Sequence, residues 1–335
     1  AVDKSVAVWN AGLGHLTPSL NTTRLSIKPG GQREQQSGNN ARLPLCRNAP
    51  EWWPGRDPRE IHNLEMKYPS DKYRIESGRN FRLADFDPDD TGPFDEREEA
   101  EEATQRDLKK LRELHEKFYV DNRHALLVVL QAMDTAGKDG TIKQVFSGIN
   151  PAGCTVTSFK KPSEEELDHD FLWRIYKPLP ARGTYGIFNR SHYEDVLVVR
   201  VHKLVETAVW KKRYDHINDF ERLLAESNTI VVKFFLNISK DEQKERLQAR
   251  LDDPAKHWKF DPNDIKERGH WNDYMAAYQD AIRNCSAPHA PWYVVPANKK
   301  WYRNFVVANA LVRELERLHL EFPKPDFDPK KMRIP

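Results

Sequence analysis

Apolar positions along the chain fall into short runs and helical stripes. Leu126–Leu130 is a continuous apolar run rich in Val and Leu, as expected of a parallel strand buried on both faces. Cys154–Phe159, Thr184–Phe188, Thr229–Leu236 and Trp292–Val295 have similar length and are further strand candidates. Between them the period lengthens. Over 95–119, Leu108, Leu111, Leu114 and Phe118 recur at helical spacing among Glu, Lys and Arg. Over 206–225, Trp210, Tyr214, Ile217, Glu221 and Leu224 step along one side of a second helix. Ser239 and Glu242 have the spacing of a capping box that opens a third, and 262–284 and 300–320 read as two more. Strands alternating with helices predict an α/β protein with a five-stranded parallel sheet covered on both faces.

Residues 1–65 break this pattern. Six prolines and six glycines, from Gly12 to Pro58, leave no sustained period of 2 or 3.6. They are read as a disordered leader or non-native extension, without chemistry of their own and dispensable. Met66 opens a stretch that reads like an ordinary protein start. The expected organisation is then an N-terminal arm over 66–94, an α/β domain over 95–322, and a tail over 323–335.

Composition narrows the class. Of 335 residues, 39% are hydrophobic and 31% charged, and no apolar run approaches the roughly 18 residues of a membrane span. Lys and Arg number 53 against 51 Asp and Glu, a net charge of +2. Bulk charge therefore announces neither a nucleic-acid nor a membrane partner, and only local patches count. Cys46, Cys154 and Cys285 are far apart and suggest neither a disulfide scaffold nor a zinc site. The chain starts without the basic-then-apolar layout of a signal peptide, so the cytoplasm is expected.

The candidate chemistry begins after Leu130. Ala132-Met133-Asp134-Thr135-Ala136-Gly137-Lys138-Asp139-Gly140 follows a buried strand and precedes a helix, the context of a phosphate-binding loop. Gly137 lets backbone N–H groups close on an anion at a helix N-terminus, and Lys138 adds a point charge. Two positions depart from the nucleotide-binding consensus. Ala132 stands in place of the first glycine, and Asp139 in place of the Ser or Thr that helps hold Mg²⁺. Asp134 could take over metal binding, because Mg²⁺ prefers oxygen ligands.

Two further clusters point the same way. At the end of the third strand Asn189, Arg190, Glu194 and Asp195 emerge together, where parallel sheets gather functional groups. Arg190 can grip phosphate oxygens bidentately, while Glu194 and Asp195 could bind metal or accept a proton. In the helix from Ser239, Arg246 and Arg250 share one face, and Lys256 and Lys259 follow. Phosphoryl-transfer enzymes carry a lid there, whose arginines neutralise charge on the group in flight. Lys143, Lys160, Lys161, Arg200 and Lys203 are more cations than one nucleotide needs. They suit a long polyanion.

The loop, Phe188-Asn189-Arg190-Ser191-His192-Tyr193-Glu194-Asp195-Val196, Asp253-Pro254-Ala255-Lys256-His257-Trp258-Lys259 and Ala290–Lys299 with Trp301-Tyr302-Arg303-Asn304 together resemble the polyphosphate kinase 2 family. The resemblance runs from about Tyr73 to Leu320. It implies that 95–322 is a P-loop kinase domain like thymidylate kinase with a helical lid around 239–262, and a loop that holds polyphosphate as donor. By position, Asp134 would bind Mg²⁺ or Mn²⁺ and orient the acceptor phosphate, with Asp195 a second acidic partner for the metal. Lys138 and Arg190 would hold the phosphates in transfer, Gly137 and Asn189 would bind substrate beside them, Arg246 and Arg250 would close from the lid, and Glu194 would influence the acceptor. Lys143, Lys160, Lys161, Arg200 and Lys203 would form a polyphosphate track. Tyr193-Glu194-Asp195 resembles the class that phosphorylates both nucleoside mono- and diphosphates. The implied partners are polyphosphate and AMP, ADP or ATP, with guanine nucleotides as further candidates, and a second copy of the chain in a homo-oligomer. An ATP-dependent nucleoside monophosphate kinase and a silent polyanion-binding protein are the alternatives.

Overall fold

The computed structural model describes residues 68–334; the leader over 1–65 and Cys46 lie outside the described residues. In chain order the elements are β1 (Arg74–Ile75), α1 (Arg97–Asp121), β2 (Ala125–Ala132), α2 (Lys138–Val145), β3 (Cys154–Ser158), α3 (Glu164–Leu167), α4 (Trp173–Tyr176) and β4 (Tyr185–Asn189). There follow α5 (Val198–Val201), α6 (Thr207–Glu226), β5 (Thr229–Asn237), α7 (Lys240–Leu251), α8 (Pro262–Gly269), α9 (Trp271–Cys285), β6 (Trp292–Pro296) and α10 (Lys300–Glu316).

Every residue of β2 is buried. An unbroken apolar run suits a strand covered on both faces, and β2 is one of the two central strands of the sheet. The sheet order is β1-β6-β5-β2-β4-β3. Strands β2 to β6 are parallel, with Leu126 opposite both Tyr185 and Ile230. The chain goes from β2 out to β3, back to β4, and then across to β5 and β6 on the other side. The order reverses around β2, and such switch points open a crevice at the carboxyl ends of the strands.

The five expected strands are all present, with ends shifted by one or two residues, but the sheet has a sixth. Arg74–Ile75 pairs antiparallel with β6, Arg74 opposite Tyr293. Two residues carry no readable period, so the pattern could not show it. The helix expected over 262–284 is two helices meeting at His270. The capping box at Ser239 is half made. Ser239 Oγ accepts the Glu242 N–H at 3.2 Å, but the Glu242 carboxylate turns to Arg246 Nε at 2.7 Å. No helix among the described residues is long and apolar enough to cross a membrane.

Candidate active site

The carboxyl end of β2 delivers Met133–Gly137, and α2 starts at Lys138. Gly137 has φ 107°, and a Cβ there would lie 2.0 Å from Arg303 Nη1. Glycine is demanded by both backbone and space. Lys138 is half-buried and donates from Nζ to the Ala132 carbonyl at 2.8 Å. Burial and the neighbouring Arg190 lower its pKa, opposed by Asp134, Glu194 and Asp139.

Arg190 follows β4 directly and has φ 63°. Its Nη2 lies 3.2 Å from Asp134 Oδ1, so the strand ends of β2 and β4 bring a carboxylate and a guanidinium together. Burial works against the charge of Arg190, but Asp134 and Glu194 outweigh it and raise its pKa. Asn189 donates to Asp139 Oδ1 at 2.6 Å. The residue replacing the consensus Ser or Thr is thereby tied to the end of β4.

Glu194 and Asp195 lie on a single turn, His192–Asp195, capped by Ser191 Oγ accepting the Tyr193 N–H at 3.2 Å. Burial raises the pKa of Glu194, against Arg190 and Lys138. Asp195 accepts from Arg213 Nη1 at 2.9 Å, and burial pushes its carboxyl up to about 6 despite Arg213. Behind this turn sits a fully buried polar network. Lys233 Nζ donates to Glu221 Oε2 at 2.5 Å, to Tyr193 Oη at 3.0 Å and to the Cys285 carbonyl at 2.6 Å. Glu221 also accepts from Tyr193 Oη at 2.9 Å and pairs with His192 Nε2 at 3.2 Å. The turn is anchored to α6 and β5 from inside the core.

On the other flank α7 and α8 cover the loop. Arg250 pairs with Asp264 at 3.2 Å and donates to the Lys259 carbonyl at 2.9 Å. The Asp264 carboxyl is pushed up to about 7 by burial and then by Asp134, so α8 brings a second carboxylate within electrostatic reach of the loop. Arg246 does not point outward. Its guanidinium donates to the carbonyls of Thr135, Ala136, Ala297 and Asn298 at 2.7–3.2 Å.

A match to the family Polyphosphate kinase 2 spans residues 94–323. The chain belongs to the polyphosphate kinase 2 family. It is 52% identical over 264 residues, 78% of this chain and 99% of the other, to the AMP/ADP-polyphosphate phosphotransferase of Meiothermus ruber. It is 44% identical over 272 residues, 77% of this chain and 94% of the other, to the ADP-polyphosphate phosphotransferase of Rhodopseudomonas palustris. A crystal structure of polyphosphate kinase 2 from Arthrobacter aurescens TC1 superposes with a TM-score of 0.76 at 47% identity, covering 78% of this chain and 94% of that one.

In this member of the family the fold brings Asp134, Gly137, Lys138, Asn189, Arg190 and Glu194 together at the carboxyl ends of β2 and β4. Arg200 departs from the expected track. Its guanidinium pairs with Asp280 at 2.8 Å and lies over Trp210 at 4.7 Å, tying α5 to α9 and α6. Lys143, Lys160, Lys161 and Lys203 are exposed. Sequence reasoning assigned no role to Arg303, which lies under the loop at 3% exposure and donates to Ala136 O at 3.0 Å. It also missed Asp264, which resembles any acid in the first turn of a helix. Lys233 did leave a signal, as a charge inside an apolar strand, since a buried lysine needs partners.

Proposed function

We propose that this kinase transfers the terminal phosphoryl group of inorganic polyphosphate to AMP and ADP, reversibly. The observation that carries this reading is the loop Asp134–Lys138 with Arg190 facing Asp134, at a strand end where Asp139 is bound by Asn189. A phosphate oxygen of the acceptor attacks the terminal phosphorus. The bond from that phosphorus to its bridging oxygen breaks, and the shortened chain leaves with the oxyanion. Lys138 and Arg190 hold the phosphates in line, and Arg250 supports the charge from the lid. Glu194, beside Arg190 and Lys138, would influence the choice of acceptor.

Mg²⁺ or Mn²⁺ fits this donor set in one way. Among the described residues no group of three or more His, Cys, Asp or Glu could hold a metal ion. Mg²⁺ needs no such cage when one or two carboxylates and substrate phosphates bind it. Asp134, about a quarter exposed beside Arg190, would be the carboxylate in that role. Asp195 is the weaker partner, because Arg213 holds its Oδ1 at 2.9 Å and its carbonyl at 3.0 Å, closer than Arg190 approaches Asp134. The ion would neutralise charge on the phosphate oxygens.

A donor swap tests the reading. With AMP as acceptor, polyphosphate is expected to yield ADP and then ATP, and excess ATP to drive the reverse. Transfer from ATP but not from polyphosphate would establish the ordinary nucleotide kinase instead. Salt-sensitive binding without transfer would establish the silent binder.

A further inference from the structure

The phosphate loop has two buried cations beneath it, and neither behaves as a phosphate ligand. A guanidinium carries five N–H donors. In Arg246 all five are spent: Nε on Glu242 Oε1 at 2.7 Å, Nη1 on Thr135 O and Ala136 O at 3.0 and 3.2 Å, and Nη2 on Ala297 O and Asn298 O at 2.7 and 2.8 Å. Its side chain is only 9% exposed. Arg303 Nη1 reaches the same Ala136 carbonyl at 3.0 Å, and its Nη2 and Nε go to Asn304 Oδ1. Both lone pairs of Ala136 O are therefore met by cationic donors.

This grip coincides with unusual backbone. Thr135 has φ 66° and Gly137 φ 107°. A β-branched residue rarely adopts the left-handed region, and persists there only where its surroundings over-determine it. The Thr135 carbonyl is one of those Arg246 holds. In a trans peptide the N–H points opposite to the preceding carbonyl. Turning Ala136 O toward the two arginines therefore aims the Gly137 N–H away from them, toward the side where α2 begins. Placing two guanidiniums together has a cost, visible in Arg303, whose pKa burial and Arg246 push down to about 10.

We infer that Arg246 and Arg303 are positioning residues, which hold the carbonyls of the phosphate loop from beneath so that its N–H groups face the anion, without touching the phosphate themselves. Arg246 is thereby moved from the lid's catalytic arginines to the support of the loop, while Arg250 keeps the lid role. The inference borrows from the proposed function only the choice of polyphosphate as the anion.

The test is the salt dependence of polyphosphate binding to the full chain, with Arg246→Gln, Arg246→Lys, Arg303→Gln and, as the contact control, Lys138→Gln. Losing a cation that touches phosphate flattens the plot of log affinity against log salt by about one contact. The control is expected to show that flattening. The Arg246 and Arg303 variants are expected to bind about tenfold or more weakly, because buried carbonyls lose donors, with an unchanged slope. Arg246→Lys keeps the charge but has three donors for five acceptors, so it separates geometry from charge and serves if the Gln variant fails to fold. Amide exchange at Thr135–Lys138 is expected to quicken in the variants while the core strands stay protected. A slope that falls as in the control, or an Arg246→Lys that binds polyphosphate normally, would overturn the inference. If the unaltered protein binds no polyphosphate, the functional reading fails separately. The same slopes taken with ATP would then decide the role of the two arginines.

Discussion

Asp134 and Arg190 show how much one pair of residues can set. At 3.2 Å each neutralises the other in the free protein, and each must share itself with phosphate or metal when substrate arrives. The partial exposure of both keeps them within reach of a ligand, unlike the wholly buried pair Lys233 and Glu221. Asp134→Asn preserves shape and removes the charge that would fix the cation. Turnover at saturating Mg²⁺ is expected to fall by at least about 100-fold, more than the loss of a group that merely supports a metal ligand. Steady-state rates across a Mg²⁺ titration check this, and near-normal turnover would remove Asp134 from the metal site.

Elements decide which charges meet. Helices α7 and α8 are fastened to each other by Arg250 and Asp264, and to the loop through Arg246. Arg250→Ala is expected to lower kcat by roughly 10³-fold with a smaller effect on acceptor KM, the size associated with an arginine that supports charge in flight. A loss below about tenfold would remove Arg250 from the transfer step. The same pair gives α7 and α8 a pH signature. The carboxyl of Asp264 is raised from 3.8 to about 7. A raised carboxyl stabilises the fold fully below its unfolded value, and that contribution is lost as pH rises through the folded value. Asp264→Asn is therefore expected to melt higher than the unaltered protein near about pH 8, with the gap closing toward about pH 5. Melting curves across that window decide the matter, and a gap that widens on acidification would contradict it.

At the scale of the whole molecule, the strand order reverses around β2, where the loop and Arg190 meet, and the sheet is closed at its β6 edge by the arm. Tyr73 is 1% exposed and bonds to Asp90 at 2.9 Å and to Tyr302 at 2.8 Å. Ser70 N–H donates to Asn309 at 3.2 Å, and Arg74 pairs with Glu314 at 3.2 Å. These contacts make the arm part of the folded unit. Tyr73→Ala is expected to cost about 3–5 kcal/mol, the usual loss for a buried aromatic, read from denaturant unfolding. A loss under about 1 kcal/mol would mean that the arm is only laid on the surface.

Periodicity and loop chemistry were local, and so they were legible. The apolar run of β2, the Gly137-Lys138 turn before α2 and the cluster Asn189–Asp195 after β4 could be read because the residues that define each lie close together in the chain. The sixth strand could not, since two residues have no period and their pairing with β6 spans more than 200 positions. Nor could the halves of the capping box, because Glu242 chose between its own helix start and Arg246. Which arginine faces phosphate and which faces backbone was also beyond the chain's pattern. Arg246 and Arg250 are equivalent by spacing, and they part only because folding puts the loop carbonyls under one and Asp264 beside the other. Local sequence determined the elements and the chemistry available to them. Tertiary structure decided how each long charged side chain was used, since a guanidinium goes to whichever acceptors burial has left without water.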